Sequence, residues 1–116
     1  MIEVVTLDTF VEWYEQLDEP DQDAVYRVVD LLENRGVALG HPYSSAIQGS
    51  SMALRELRTQ SQGRPLRILY AFDPKRNAVL ILGGDKTGDD RFYERTIPKA
   101  EKLWAKYLKE ANHGGA

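Results

Sequence analysis

Three apolar runs in the middle of the chain, Ala53–Gln60, Pro65–Asp73 and Ala78–Gly84, are separated by only four residues each time, Ser61-Gln62-Gly63-Arg64 and Pro74-Lys75-Arg76-Asn77. Connections this short cannot carry the chain over a sheet to a parallel partner, so the runs have to pair as an antiparallel meander. In the third run Val79-Leu80-Ile81-Leu82 is apolar at every position. A strand buried on both faces is a central one, and helices have to cover it.

Those helices come from the two ends of the chain. Ile2–Thr6 is short and β-branched and reads as a first strand. Thr9-Phe10-Val11-Glu12 has the form of a capping box, which predicts a short helix to about Leu17. Asp18-Glu19-Pro20 supplies a cap and a first-turn proline for a second helix, in which Ala24, Val25, Val28, Leu31 and Leu32 recur at helical spacing until Gly36 stops it. Residues 36–52 hold three glycines, one proline and four serines without a period, and read as a loop. After the meander, Asp89 or Asp90 is placed to cap a last helix whose stripe is Tyr93, Ile97, Ala100, Trp104, Leu108 and Ala111. Pro98 lies inside it, and a kink or restart is expected there. The order β-α-α-β-β-β-α keeps helices apart from a contiguous run of strands, which defines an α+β domain. It occupies residues 1–111, with 112–116 expected as a flexible tail.

At 116 residues the chain has room for one domain with its own core. It contains no cysteine, which removes zinc ribbons, iron–sulfur sites and thiol nucleophiles. No apolar run approaches the roughly 20 residues of a membrane span, and no secretory pattern opens the sequence, so a cytoplasmic location without membrane contact is expected.

Charge is divided unequally. Residues 1–34 hold ten acidic side chains against Arg27 alone, a balance of −9, while residues 35–116 hold fourteen basic and eight acidic ones, +6. The net −3 therefore conceals a cationic second half suited to phosphate, although the plain reading of the first half is that its acidic residues solvate the outer faces of helices.

Within that second half Arg55, Arg58, Arg64 and Arg67 fall inside thirteen residues, opposed only by Glu56. Guanidinium groups stay charged and grip phosphate oxygens in pairs. The same arginines on an edge strand would serve merely to block aggregation. Strand alternation sends Arg55 and Arg58 to opposite faces, whereas the hairpin at Gly63 folds Arg67 back beside the strand carrying Arg58. Further on, Gly83-Gly84-Asp85-Lys86-Thr87-Gly88-Asp89-Asp90 reads as a glycine-rich turn into a helix. It fits neither nucleotide-binding fingerprint, and its three aspartates match no recognised metal cage. Its amides and Lys86 can still meet a phosphate. His41 and His113 have no triad partners in the sequence.

Leu54-Arg55-Glu56-Leu57-Arg58, then Gly63-Arg64-Pro65-Leu66-Arg67-Ile68-Leu69-Tyr70-Ala71-Phe72-Asp73, then Leu80-Ile81-Leu82-Gly83-Gly84-Asp85-Lys86-Thr87 and Arg91-Phe92-Tyr93, resemble the HigB-like, phage Gp49-like branch of the RelE/ParE toxins. The likeness covers roughly residues 37–108, with Leu39-Gly40-His41-Pro42 a weaker match upstream. It implies the RelE/ParE-like fold and an mRNA interferase. Such a toxin cuts messages in the ribosomal decoding site by attack of the RNA's own 2′-hydroxyl, needs no metal or other cofactor, and is silenced by a cognate antitoxin.

The resemblance also implies roles. Arg67 matches the phosphate-stabilising arginine, Lys86 a basic position, and Tyr93 a tyrosine that activates the 2′-oxygen or stacks on a base. Arg55, Arg58, Arg64 and Arg91 would bind RNA. Ser51 stands where some relatives carry histidine, and Leu54 and Glu56 stand at lysine positions of RelE-type toxins. A tyrosine base, with an ordinary pKa of about 10, would need lowering by Lys86 or Arg67. Two rival functions remain: a ParE-like poison of DNA gyrase, and a non-catalytic module that binds a protein partner.

Overall fold

The computed structural model describes residues 1–114. In chain order it runs β1 (Val4–Thr6), α1 (Asp8–Glu15), α2 (Glu19–Arg35), a 3-10 turn (Gly36–Ala38), β2 (Ser44–Ala46), β3 (Arg55–Ser61), β4 (Arg64–Phe72), β5 (Ala78–Asp85) and α3 (Phe92–Gly114). The three runs do form an antiparallel meander, β3-β4-β5, with Arg58 opposite Arg67 and Leu69 opposite Leu82. β1 adds to β5 in parallel and β2 to β3 antiparallel, giving a five-stranded mixed sheet in the order β1-β5-β4-β3-β2.

Each face of the sheet carries its own core. On one, α1 and α2 bury Phe10, Val25, Val28 and Leu32 against Leu57, Leu66, Ile68 and Leu80. On the other, α3 lays Phe92, Ala100 and Trp104 over Leu69, Ala71, Val79 and Ile81. This is why Val79 to Leu82 is apolar throughout: Leu80 enters the core under α1 and α2, while Val79, Ile81 and Leu82 enter the one under α3.

Several local details differ from the sequence expectation. Thr9 does not cap α1, which starts after Leu7 with no side-chain cap. Its hydroxyl instead donates to the carbonyl of Ile81 at 2.5 Å. Ile81 is the residue left without a partner where the β4–β5 register shifts, so the bulge frees an acceptor that Thr9 takes. The cap of α2 is as read: Asp18 accepts from the Asp21 amide, Pro20 lies in the first turn, and Gly36 ends the helix at φ 56°. The 36–52 segment is not all loop, since Ser44–Ala46 forms the edge strand β2. Three residues of serine and alanine are too short and too polar for the alternation rule to register.

α3 starts at Phe92 and runs without interruption past Pro98, against the expected restart. Pro98 lies early in the helix on the exposed side, and the carbonyl it leaves without an amide belongs to the exposed Glu94. Ala111 is exposed rather than part of the stripe. The helix continues to Gly114, three residues beyond its expected end, and residues 115 and 116 of the expected tail lie outside the described residues. Among the described residues no helix is long and apolar enough to cross a membrane.

Candidate functional site

Gly83 and Gly84 belong to β5 rather than to a turn. A Cβ on Gly83 would run into the Trp13 ring from α1, and one on Gly84 would lie 2.7 Å from the Phe92 ring of α3. The pair is therefore there for packing, one glycine under an aromatic from each layer. The turn proper starts at Lys86, whose amide donates to the carbonyl of Pro65 at 2.9 Å. That bond holds Lys86 against the start of β4 while the chain turns into α3, whose first turn carries Tyr93.

Four of the predicted residues, Arg58, Arg67, Lys86 and Tyr93, meet there with a fifth, Glu56, that was not predicted. The Tyr93 hydroxyl donates to Glu56 Oε2 at 2.5 Å, and Lys86 Nζ sits 4.9 Å from the centroid of the Tyr93 ring, within cation–π range. Glu56 Oε1 is 3.9 Å from Arg67 Nε and 3.6 Å from Arg58 Nε. Arg58 and Arg67 are direct cross-strand partners, an arrangement of like charges that destabilises a sheet unless an anion lies between them. Glu56 is that anion.

Arg67 is 7% exposed. Its Nη1 donates to the carbonyl of Leu66 at 3.1 Å, yet its Nε has no hydrogen-bond partner among the described residues. That Nε is sealed from solvent and faces Glu56 at 3.9 Å, so any further oxyanion would have to be met by the outer nitrogens of the guanidinium.

Tyr93 is not a lowered phenol. Burial raises its pKa, the hydrogen bond and charge of Glu56 raise it further, and the opposing pull of Arg67 is smaller than either. The expected cationic activation is thus reversed by a carboxyl group one bond away, and Tyr93 is held as a proton donor. The signal for Glu56 was present in the sequence: it is the lone acid among the arginines and two positions from Arg58, hence on the same face of the strand.

The remaining predicted residues lie elsewhere. Arg55 points to the opposite face, where its Nε and Nη2 donate to Ser44 Oγ, at 3.3 and 3.1 Å, and its Nε to the Tyr70 hydroxyl at 3.3 Å. Arg64 bridges Asp21 of α2 and Asp85 of β5. Arg91 is exposed and pairs loosely with Glu94 at 4.0 Å. Asp85 and Asp89 are engaged by Arg64 and Arg95, and among the described residues no group of three or more His, Cys, Asp or Glu side chains is placed to hold a metal ion.

Two cavities open on the network from different sides. One, of about 190 Å³, is lined by Ala46, Ile47, Gln48, Glu56 and Tyr93. The other is a cleft of about 610 Å³ between α2 and β3, reached by Arg58 and Arg67.

This layering and strand order define a RelE-like fold. An archaeal RelE, in the crystal structure of the RelE–RelB complex from Pyrococcus horikoshii, shares the fold at a TM-score of 0.55 and 15% identity, over 75% of this chain and 97% of that one. Residues 12–105 match the family described as phage derived protein Gp49-like, and the chain belongs to that family. A Mycobacterium tuberculosis protein named as the toxin HigB3 is 38% identical over 97% of both chains. A second from the same organism, named as the toxin HigB2, is 37% identical over 83% of this chain and 49% of its own length, so this chain spans about half of that relative. The fold, the family and the relatives together mark a HigB-type toxin.

Proposed function

We propose that this toxin is a ribonuclease that cleaves messenger RNA on the ribosome, with a cognate antitoxin holding it silent. The relatives named as toxins and the RelE–RelB neighbour support the class and the antitoxin. The observation that carries the reaction is one network in which the Tyr93 hydroxyl bonds Glu56, Glu56 lies beside both Arg58 and Arg67, and Lys86 sits over the Tyr93 ring.

The chemistry those groups suit is attack by a ribose 2′-oxygen on the adjacent phosphorus. Glu56 takes the 2′-hydroxyl proton as the new O2′–P bond forms. Arg67 and Lys86 bear the charge that accumulates on the phosphorane oxygens, the largest single contribution in reactions of this kind. As the P–O5′ bond breaks, the Tyr93 phenol passes its proton to the departing oxygen and recovers one from Glu56, which restores both groups. The products are a 2′,3′-cyclic phosphate and a 5′-hydroxyl, and no step is routed through a metal ion. The test is induction of the chain in growing cells with primer-extension mapping of messages. Codon-phased 5′ ends that vanish in Arg67→Ala are expected. DNA damage without such ends would overturn the reading in favour of a gyrase poison.

A further inference from the structure

Arg27 is the single basic residue among the first 34, and it is the one α2 turns toward the sheet edge. β2 pairs with β3 only from Arg55 to Leu57, so the strand beyond Arg58 has no neighbour on that side. The gap is the 610 Å³ cleft, a size within the roughly 300–1,000 Å³ of sites that enclose small ligands. Thr59 and Gln60 form one side, Val28 and Leu31 of α2 the other, and the half-exposed Tyr43 stands at the rim.

We infer that this cleft is a single-stranded RNA subsite that carries the message away from the scissile phosphate, with Arg27 on a neighbouring phosphate and Tyr43 stacked on a base. The inference rests on the ribonuclease reading and extends it to a surface outside the reacting groups. Three observations favour it. Arg67 lines the cleft and also belongs to the phosphate site, so a strand bound at one is continuous with the other. Guanidinium groups at both ends, Arg27 and the Arg58–Arg67 pair, suit a polyanion, and an aromatic rim with aliphatic walls suits unstacked bases. Beyond Arg27 the surface turns acidic at Glu19 and Asp23, which limits the track to one or two nucleotides.

The test uses the whole chain and a fluorescent hexanucleotide in which every ribose is 2′-O-methyl, so that it binds without being cut. Arg27→Ala is expected to weaken binding several-fold at low salt and to reduce the salt slope by about 0.7, one phosphate contact for a single strand. Tyr43→Ala should weaken it about fivefold or more with the slope unchanged. Arg35→Ala, on the exposed last turn of the same helix, should bind like the unsubstituted chain.

Equal affinity of Arg27→Ala and the unsubstituted chain overturns the inference, as does failure of the unsubstituted chain to bind at low salt. If an Asp/Glu-rich peptide binds and loses affinity in Arg27→Ala while the oligonucleotide does not, the cleft belongs to a protein partner. Binding that depends on Arg27 in a chain that cuts no message removes the ribonuclease reading and leaves the subsite standing.

Discussion

The Tyr93 hydroxyl reaches across from α3 to Glu56 on β3 and donates to its carboxyl at 2.5 Å, joining residues 37 positions apart. Burial and Glu56 both keep the proton on the phenol. In the proposed reaction this leaves Glu56 as the group that takes a proton first.

Glu56→Gln should therefore lose cleavage by about 10²-fold or more, the usual contribution of a positioned base. Tyr93→Phe should lose less, since water can supply a leaving-group proton. The pH profile separates the roles. A phenol whose pKa is raised stays protonated throughout the neutral range, so Tyr93 adds no limb to the rate profile below its ordinary value of 10. A rising limb near neutrality that disappears in Tyr93→Phe would return the base assignment to the phenol.

At Arg67 the shape of the cation matters as well as its charge. Arg67→Lys keeps the charge, but its single ammonium cannot serve Leu66, Glu56 and a phosphate together as the planar fork can. Single-turnover cleavage should fall nearly as far in Arg67→Lys as in Arg67→Ala. Full rescue by lysine would mean that charge alone is used.

How far the site could be read from sequence follows from what alternation and turn length encode. The meander and the return of Arg67 beside the strand carrying Arg58 were legible, because four-residue connections leave a strand little choice of partner, whereas the register that sets Arg58 opposite Arg67 came only from the fold. Tyr93 came from resemblance and Lys86 from the turn as well as the resemblance, and only the fold showed that one sits over the ring of the other. Glu56 was missed because an acid among arginines reads as simple neutralisation. Gly83 and Gly84 read both as the end of the third apolar run and as the start of a glycine-rich turn; they lie in β5, and a sequence does not show that Trp13 and Phe92 will lie on them. Arg55 and Arg64 look like RNA ligands in sequence and are spent on Ser44, Tyr70, Asp21 and Asp85, partners that arrive from distant segments.

That last group predicts an acid transition. Hydrogen bonds from Ser61, Gln62 and Arg64 lower the Asp21 pKa below its ordinary 3.8, outweighing the burial that opposes them. A depressed folded-state pKa contributes stability that is present above 3.8 and lost as pH falls through the folded value. Asp21→Asn should thus be less stable than the parent near neutrality, by about 1–3 kcal/mol. The difference should shrink below pH 3.8, as followed by urea unfolding at several pH values. A gap that stays constant down to pH 2 would show that the pair adds no proton linkage.

Gly83→Ala tests the packing account of the glycine pair. Gly83 has ordinary strand geometry, so alanine brings no backbone penalty, and the whole effect comes from the methyl group meeting the Trp13 ring. To admit it, α1 has to shift on the sheet, with an overpacking cost of about 1–3 kcal/mol. Trp13→Leu removes the ring and should suppress most of the added penalty, so the double variant should be more stable than the sum of the two single effects allows. Both measurements are denaturant midpoints on the isolated chain. Simple additivity would mean that Gly83 is required by something other than the indole, with the turn toward Lys86 the next place to look.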